Sequence, residues 1–244
     1  MSSKYYLIFG GSTGIGFCAS RKIVEQGNRV ILVSSNKKKL EDAAFKLGGN
    51  ASYFVCNLKN TEEVHCVFDY IKDNRIMLSG MVYAAGVAPL CLLSDNSVEL
   101  MQSVFSVNFY SFVEAVKYFQ QQNISYEGSS IVAVSSITAK GAGYRQMLYG
   151  SSKAAMIASV KLMAKELLNR NIHINCISPG VTDTAMLDDL RHKSENLDAK
   201  IKNSQCLGVL KPETIANEIL WLIGEGAVGR TGMEIIVDGG ATLK

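Results

Sequence analysis

Phe9-Gly-Gly-Ser-Thr-Gly-Ile-Gly16 is the stretch on which the fold turns. It ends a short apolar run, Tyr5–Phe9, and opens a segment with helical patterning, Gly14–Glu25. Gly10, Gly14 and Gly16 therefore stand between a strand and a helix. In that setting glycine permits a tight turn and lets the backbone approach a pyrophosphate. The free N–H groups of the helix N-terminus then bind the phosphate oxygens. Ser12, Thr13 and Ile15 complete the candidate phosphate turn. The spacing is Gly-x-x-x-Gly-x-Gly, not the Gly-x-Gly-x-x-Gly of the larger dehydrogenases. Glycines at a strand–helix junction can also serve the turn alone.

Outward from this turn the same alternation repeats. Apolar β-rich runs fall at Tyr5–Phe9, Arg29–Ser34, 52–56, 81–85, 130–135, 173–177 and Glu234–Val237. They are nearly continuous in hydrophobicity, as expected of strands covered on both faces. The segments between them, Gly14–Glu25, Lys37–Leu47, 61–73, 98–121, 149–169 and Pro212–Ile223, are long enough for crossover helices. Repeated βα units predict an α/β fold: a single Rossmann-type, doubly wound parallel sheet of about seven strands with helices on both faces. No linker or repeat interrupts the pattern, so 1–244 reads as one domain. The exception is 183–210, which is long, charged and poorly patterned, and it predicts a substrate lid.

Composition narrows the class. A hydrophobic content of 48% with only 3 Pro is that of a folded globule. A net charge of +3 is too mild to argue for nucleic acid or an anionic membrane. Cys18, Cys56, Cys66, Cys91, Cys176 and Cys206 form no Cys-x-x-Cys pair, and His is scarce at 3, so no metal is expected. Most of these cysteines lie in apolar runs and read as small hydrophobes in a reducing compartment. No apolar stretch is long enough to span a bilayer, and a cytoplasmic location is expected.

Tyr149-Gly-Ser-Ser-Lys153 opens one of the expected helices. Residues four apart on a helix share a face, so the phenol and the ammonium can enter one pocket. A nearby cation favours the phenolate and would lower a tyrosine pKa from its usual ~10. Tyr149 is therefore a candidate general acid/base. Ser136 closes the run Ile-Val-Ala-Val-Ser-Ser, Asn108 lies in Ser-Val-Asn-Phe, and Pro179-Gly180 precedes Thr182 and Thr184. Each has a bland reading beside it. Ser136 can simply end a strand, Asn108 can be a locally satisfied helix residue, and Pro-Gly is a common turn.

Taken together and in this order, the motifs resemble the short-chain dehydrogenase/reductase family, over nearly the whole chain. The resemblance is to the 3-oxoacyl-acyl-carrier-protein reductase-like branch. It implies Gly10-x-x-x-Gly14-Ile-Gly16 as the cofactor turn, and Asn108, Ser136, Tyr149 and Lys153 as the catalytic set. It implies that Asn108 supports a proton relay through water and the lysine. It implies that Pro179, Gly180, Thr182 and Thr184 hold the nicotinamide carboxamide, and that Asp238-Gly-Gly240 is a C-terminal signature. Ala84, Ala85 and Gly86 stand where the family usually has Asn-Ala-Gly, so one side-chain bond bracing the sheet is lost. Asn57, followed by Leu58, stands where an Asp often contacts the adenine; an amide both donates and accepts, so the contact is adjusted. Phe9 replaces a frequent Thr. An enoyl reductase fits less well, because in that branch the tyrosine and lysine are further apart.

The family selects NAD with an acid at the end of the second strand. Here that end reads Ser34, Ser35, Asn36, Lys37, with Lys38 and Lys39 following. Nothing repels a 2′-phosphate, so NADP (NADPH) is expected over NAD. The three lysines are most simply a solvated face, yet they oppose the helix dipole and point to a nearby anion. The expected reaction is NADP-dependent reduction of a ketone, a 3-oxoacyl group among the options, to a secondary alcohol. The rivals are an NAD-dependent secondary-alcohol or sugar dehydrogenase, and a non-catalytic NAD(P)-binding sensor or scaffold. The partner is a small-molecule or acyl-thioester carbonyl substrate, in a pocket built from 89–93, 137–148 and 183–210. The broad apolar surface of 98–121, together with the resemblance, implies a homodimer or homotetramer.

Overall fold

The computed structural model describes residues 3–141, 143–192 and 196–243. Seven parallel strands form one sheet in the order β3-β2-β1-β4-β5-β6-β7. They are β1 (Tyr5–Phe9), β2 (Arg29–Ser34), β3 (Ala51–Val55), β4 (Leu78–Tyr83), β5 (Ser125–Val134), β6 (His173–Pro179) and β7 (Glu234–Val237). The order reverses between β1 and β4. In open α/β sheets the crevice at that point, outside the carboxyl ends of the strands, is where ligands bind.

Strand alternation divides the core in two. Leu7, Phe9, Ile31, Val33, Met81 and Tyr83 face one cluster. Tyr6, Ile8, Val30, Leu32 and Val82 face the other. Helices α3 (Val64–Asp73), α5 (Ser111–Phe119) and α6 (Met147–Leu167) cover the first face. Helices α1 (Gly14–Glu25), α2 (Lys37–Leu47) and α9 (Pro212–Ile223) cover the second.

Three departures from the sequence pattern have physical causes. β4 begins at Leu78 because Gly80, which reads as a break, is needed: a Cβ there would sit 2.7 Å from Ile223 Cγ1. β5 begins at Ser125, but Tyr126, Glu127 and Gly128 are exposed, so the hydrophobic signal starts late. The helix expected at 98–121 is two α segments, α4 (Val98–Phe105) and α5, joined by a π turn at Ser106–Tyr110 that contains Asn108. Such π insertions occur often at functional sites.

The expected lid is not an open loop. It contains two short helices, α7 (Ala185–Arg191) and α8 (Leu197–Ser204). Each buries one residue, Leu187 and Ile201 respectively. One apolar residue per helix shows no periodicity, which is why the sequence left the segment unpatterned. Of the six cysteines, Cys18, Cys56 and Cys176 are buried, Cys66 and Cys91 half-buried, and Cys206 exposed. The expectation that most are core residues holds for three. Among the described residues no helix is long and apolar enough to cross a membrane.

Candidate active site

The candidate residues gather along the carboxyl edge of the sheet. The first turn is controlled by close backbone approach. A Cβ on Gly16 would lie 2.3 Å from the Gly10 carbonyl oxygen, and one on Gly10 would lie 2.6 Å from the Ala85 nitrogen. The turn is thus pressed against the end of β4, with the Ala84 N–H donating to the Phe9 carbonyl at 2.9 Å. Gly14 has φ +54°, a conformation other residues adopt only with strain. Thr13 precedes α1 without a side-chain cap, and the first turn holds no acid. The leading N–H groups of α1, from Gly14, Ile15 and Gly16, are left for an anion, and Ser12 and Thr13 flank them. This cradle fits the pyrophosphate of a dinucleotide.

At the end of β2 the Ser34 hydroxyl accepts weakly from the Asn36 N–H, at 3.5 Å. Ser35 and Lys37 to Lys39 are exposed, and Lys37 lies 3.8 Å from Glu41. Asn36 caps α2 by accepting from the Lys39 N–H at 3.0 Å, so its side-chain oxygen is already engaged. Asn57 is exposed and closes its own turn on the Lys59 N–H. The Leu58 side chain lies in the core. Its carbonyl accepts from Ser111, so any ligand contact at Leu58 falls to its N–H. Phe9, where a Thr was noted as frequent, packs with its ring centroid 5.2 Å from that of Tyr83. The Tyr83 hydroxyl donates to the Val107 carbonyl at 2.6 Å and ties β4 to the π turn.

α6 begins at Met147, two residues ahead of the expected start, and places Tyr149 and Lys153 one turn apart. Lys153 is only 3% exposed. Its ammonium donates to the Val134 carbonyl at 2.8 Å, and burial depresses its pKa to about 8. The ammonium lies 6.0 Å from the centre of the Tyr149 ring. This corrects one expectation. The Tyr149 pKa is raised, not lowered: burial dominates, and the opposing influence is the Ser136 hydroxyl rather than Lys153. The ammonium is engaged with a β5 carbonyl.

Ser136 closes β5 and caps a short helical turn, accepting from the Thr138 N–H at 3.2 Å and donating to the Thr138 hydroxyl at 3.1 Å. Thr138 therefore orients the Ser136 hydroxyl, a role the motif reading missed although it lies two residues on. Asn108 is fully buried and spans two partners. Its oxygen accepts from the Val87 N–H at 2.8 Å. Its amide donates to the Val87 carbonyl at 3.0 Å and to the Ser152 hydroxyl at 2.8 Å. Gly86 marks where Asn108 and Lys153 converge, since a Cβ there would be 3.3 Å from Lys153 Nζ and 3.5 Å from Asn108 Oδ1. The structure brings Asn108, Ser136, Tyr149 and Lys153 to one place.

After β6, Pro179 and Gly180 turn the chain, and the Gly180 N–H donates to Val237 at 2.9 Å. The Thr182 hydroxyl donates to the Gly180 carbonyl at 3.0 Å, and that of Thr184 to the Thr182 carbonyl at 3.3 Å. Thr184 Cγ2 lies 3.3 Å from the Cβ position of Gly14, so this turn abuts the glycine turn. Behind it stands Gln205, which no motif singled out. Asp238 caps the C-terminal turn by accepting from the N–H groups of Gly240 and Thr242 and from the Thr242 hydroxyl. Burial raises its pKa, but these bonds outweigh it and hold the carboxyl below the ordinary range.

A cavity of about 550 Å³ is lined by Cys91, Leu92, Thr138, Tyr144, Arg145 and Gly150 among others; its lining includes Thr138 and Gly150, near neighbours in sequence of Ser136 and Tyr149. Its walls come from 91–93 and 138–147, within the expected stretches, and from Gly150, Ser151 and Ala154 of α6; among the described residues none of 183–210 lines it.

Comparison with known proteins extends this geometry. Residues 10–242 match a family model described as enoyl-(acyl carrier protein) reductase. The chain is similar to carbonyl reductase family member 4 of Xenopus laevis, at 31% identity over 99% of each chain. It is similar to the 3-oxoacyl-acyl-carrier-protein reductase of Chlamydia pneumoniae, at 32% identity over 98% of this chain and 97% of the other. Among solved structures, 4-hydroxyisoleucine dehydrogenase complexed with NADH superposes with a TM-score of 0.90 at 28% identity. That match covers 99% of this chain and 100% of the other.

Proposed function

Because the chain belongs to the short-chain dehydrogenase/reductase family, whose members are oxidoreductases of carbonyl and alcohol groups that bind nicotinamide cofactors, we propose that it reduces a ketone to a secondary alcohol with NADPH. The observation that carries this reading is the convergence of Ser136, Tyr149, Lys153 and Asn108 on one side of an uncapped glycine turn. Bound nicotinamide supplies a hydride to the carbonyl carbon. The Ser136 hydroxyl, aimed by Thr138, holds the carbonyl oxygen where negative charge develops. Tyr149 gives that oxygen its proton. Its raised pKa keeps the phenol protonated at neutral pH, which suits a donor in the reductive direction. Lys153 holds the nicotinamide ribose, and Asn108 fixes the Val87 peptide and Ser152 around it. Gly10 to Gly16 hold the pyrophosphate, Asn57 and Leu58 the adenine side, and Pro179 to Thr184 the carboxamide.

NADPH is preferred because Ser34 places no carboxylate against a 2′-phosphate, while Ser35 and the lysines that follow offer donors. The substrate class is a 3-oxoacyl or related ketone, in keeping with the carbonyl and 3-oxoacyl reductases among the relatives. The enoyl reduction named in the family model's description is set aside on the Tyr149–Lys153 spacing. A second reading, an NAD-dependent alcohol dehydrogenase, is favoured by the NADH-bound 4-hydroxyisoleucine dehydrogenase. Helices α7 and α8 would form the lid, and the rings of Phe105, Phe109 and Tyr110, which pack against one another at the π turn, would belong to the face through which copies of the chain associate.

The test is Tyr149→Phe, assayed by NADPH oxidation with 3-oxoacyl thioesters, cyclic ketones and keto sugars. NADPH affinity should change little, and turnover should fall by roughly 10²-fold or more, the scale of a lost general acid. Turnover at the unmutated rate would mean another group donates the proton. Faster oxidation of alcohols with NAD than reduction of any ketone would support the second reading.

A further inference from the structure

We infer that Gln205 is a positioning residue that holds the nicotinamide-side turn in register and clamps the base of the lid; this rests on the proposed role of Pro179 to Thr184. Gln205 is only 1% exposed. Its side chain makes on Val181 the pair of bonds that a neighbouring strand would make. Oε1 accepts from the Val181 N–H at 2.8 Å, and Nε2 donates to the Val181 carbonyl at 2.9 Å. The second Nε2 hydrogen goes to the Gly208 carbonyl at 2.6 Å. Both amide hydrogens and the oxygen are thus engaged, as burial of a carboxamide requires.

Two glycines make room for this amide. A Cβ on Gly180 would lie 2.5 Å from Gln205 Oε1, and one on Gly239 would lie 2.9 Å from Gln205 Cγ. Val181 stands between Gly180 and Thr182. Holding its peptide groups on both sides fixes the Gly180 carbonyl and the Thr182 hydroxyl that bonds to it. Next to it the chain closes on itself. Asp183 N–H donates to Leu210 at 2.8 Å, Leu210 N–H to Val181 at 2.9 Å, and Leu207 N–H to Gly239 at 3.0 Å. The two ends of 183–210 therefore meet at Val181. Gln205, at the C-terminal end of α8, therefore holds this side of the segment ahead of Leu210. A small displacement of donors that meet a cofactor weakens binding steeply, so Gln205 acts on the site through Val181 without touching it.

Two variants of the full chain test this, with NADPH as the probe. Gln205→Met keeps length and bulk but leaves the Val181 N–H and the Gly208 carbonyl unbonded and takes one of the two donors from the Val181 carbonyl. It should weaken NADPH binding about 10-fold or more, the scale of stranded buried polar groups. It should also raise amide exchange at Val181 and through α7 and α8 while β1 to β5 keep their protection. Gln205→Glu retains the acceptor but sets a carboxylate against the Val181 and Gly208 carbonyls. Burial against two carbonyls should raise this carboxyl above the ordinary ~4.3, so its NADPH affinity should be poor where it is ionised and recover as falling pH protonates it and it can again donate. A staple with a purely structural role would lower the melting temperature and leave NADPH affinity alone, and that result overturns the inference. If Gln205→Met does not fold, a flat pH profile for Gln205→Glu overturns it equally. An unmutated protein that binds neither NADPH nor NADH breaks the functional reading instead. That failure is distinguishable, because exchange at Val181 still reports whether Gln205 holds the turn.

Discussion

Two βα turns meet at the carboxyl edge of this sheet, and they are built in opposite ways. The turn after β1 is made from its own residues: glycine at 10, 14 and 16, a Cβ clash of 2.3 Å avoided at Gly16, and a φ of +54° at Gly14. The turn after β6 has one glycine, and its support comes from elsewhere. Gln205 holds Val181, and Gly180 donates to Val237 beside the Asp238 cap. The first turn packs closely because side chains are absent. The second is held because a distant side chain is present. One should fail by local collision and the other by loss of a remote partner.

The sharpest way to break the comparison is Gly16→Ala. The added methyl would press on a backbone oxygen that has no rotamer to move. We expect a loss near the upper end of overpacking, about 3 kcal/mol, with NADPH binding no longer measurable. Urea unfolding and NADPH fluorescence titration read the two effects. A variant that binds NADPH normally would show that the first turn can yield after all.

Ser34→Asp tests the adjacent end of β2, where Ser34 is half-buried and simply bonded. A carboxylate there should repel a 2′-phosphate and accept from a ribose hydroxyl. The ratio of kcat/KM for NADPH over NADH should fall by on the order of 10-fold or more, since like charges in contact cost several kcal/mol. Stability should stay within about 0.5 kcal/mol, as for ordinary surface changes. An unmutated enzyme that already favours NADH would overturn the cofactor assignment.

The smallest effect belongs to the remote support of the second turn. The Asp238 carboxyl has its pKa held below the ordinary range, so its contribution to stability is present above the unfolded value of ~3.9. It is lost as the pH falls through the lower, folded value. Asp238→Asn should cost about 1 kcal/mol at pH 7, the worth of a hydrogen bond to a charged group given up in part. The gap between variant and unmutated protein should close in acid. Denaturant titrations at pH 7 and near pH 3 measure it, and a gap that widens in acid would refute the sign.

Most of the fold was legible because its determinants are short-ranged. β1, β2, β7, α1, α2 and α9 lie where hydrophobic runs, helical spacing and glycine turns put them. The candidate site was legible for a similar reason. Tyr149 and Lys153 share a helix face, and Gly10 to Gly16 form one turn, so neighbours in sequence are neighbours in space. Ser136 and Asn108 needed the resemblance, since neither carries a local signal that sets it apart from a strand end or a helix polar residue.

Tertiary structure alone decided the rest. It turned the Lys153 ammonium to the Val134 carbonyl and raised the Tyr149 pKa by burial, against the order the spacing implied. It opened a π turn around Asn108 and matched that amide to Val87 and Ser152. It also chose Gln205, from a stretch without periodicity, to complete a turn 24 residues upstream. Periodicity and glycine spacing record what a segment does to its own backbone. Burial, and the partner a polar group finds there, depend on which other segments arrive, and that is set only when the sheet closes over both faces.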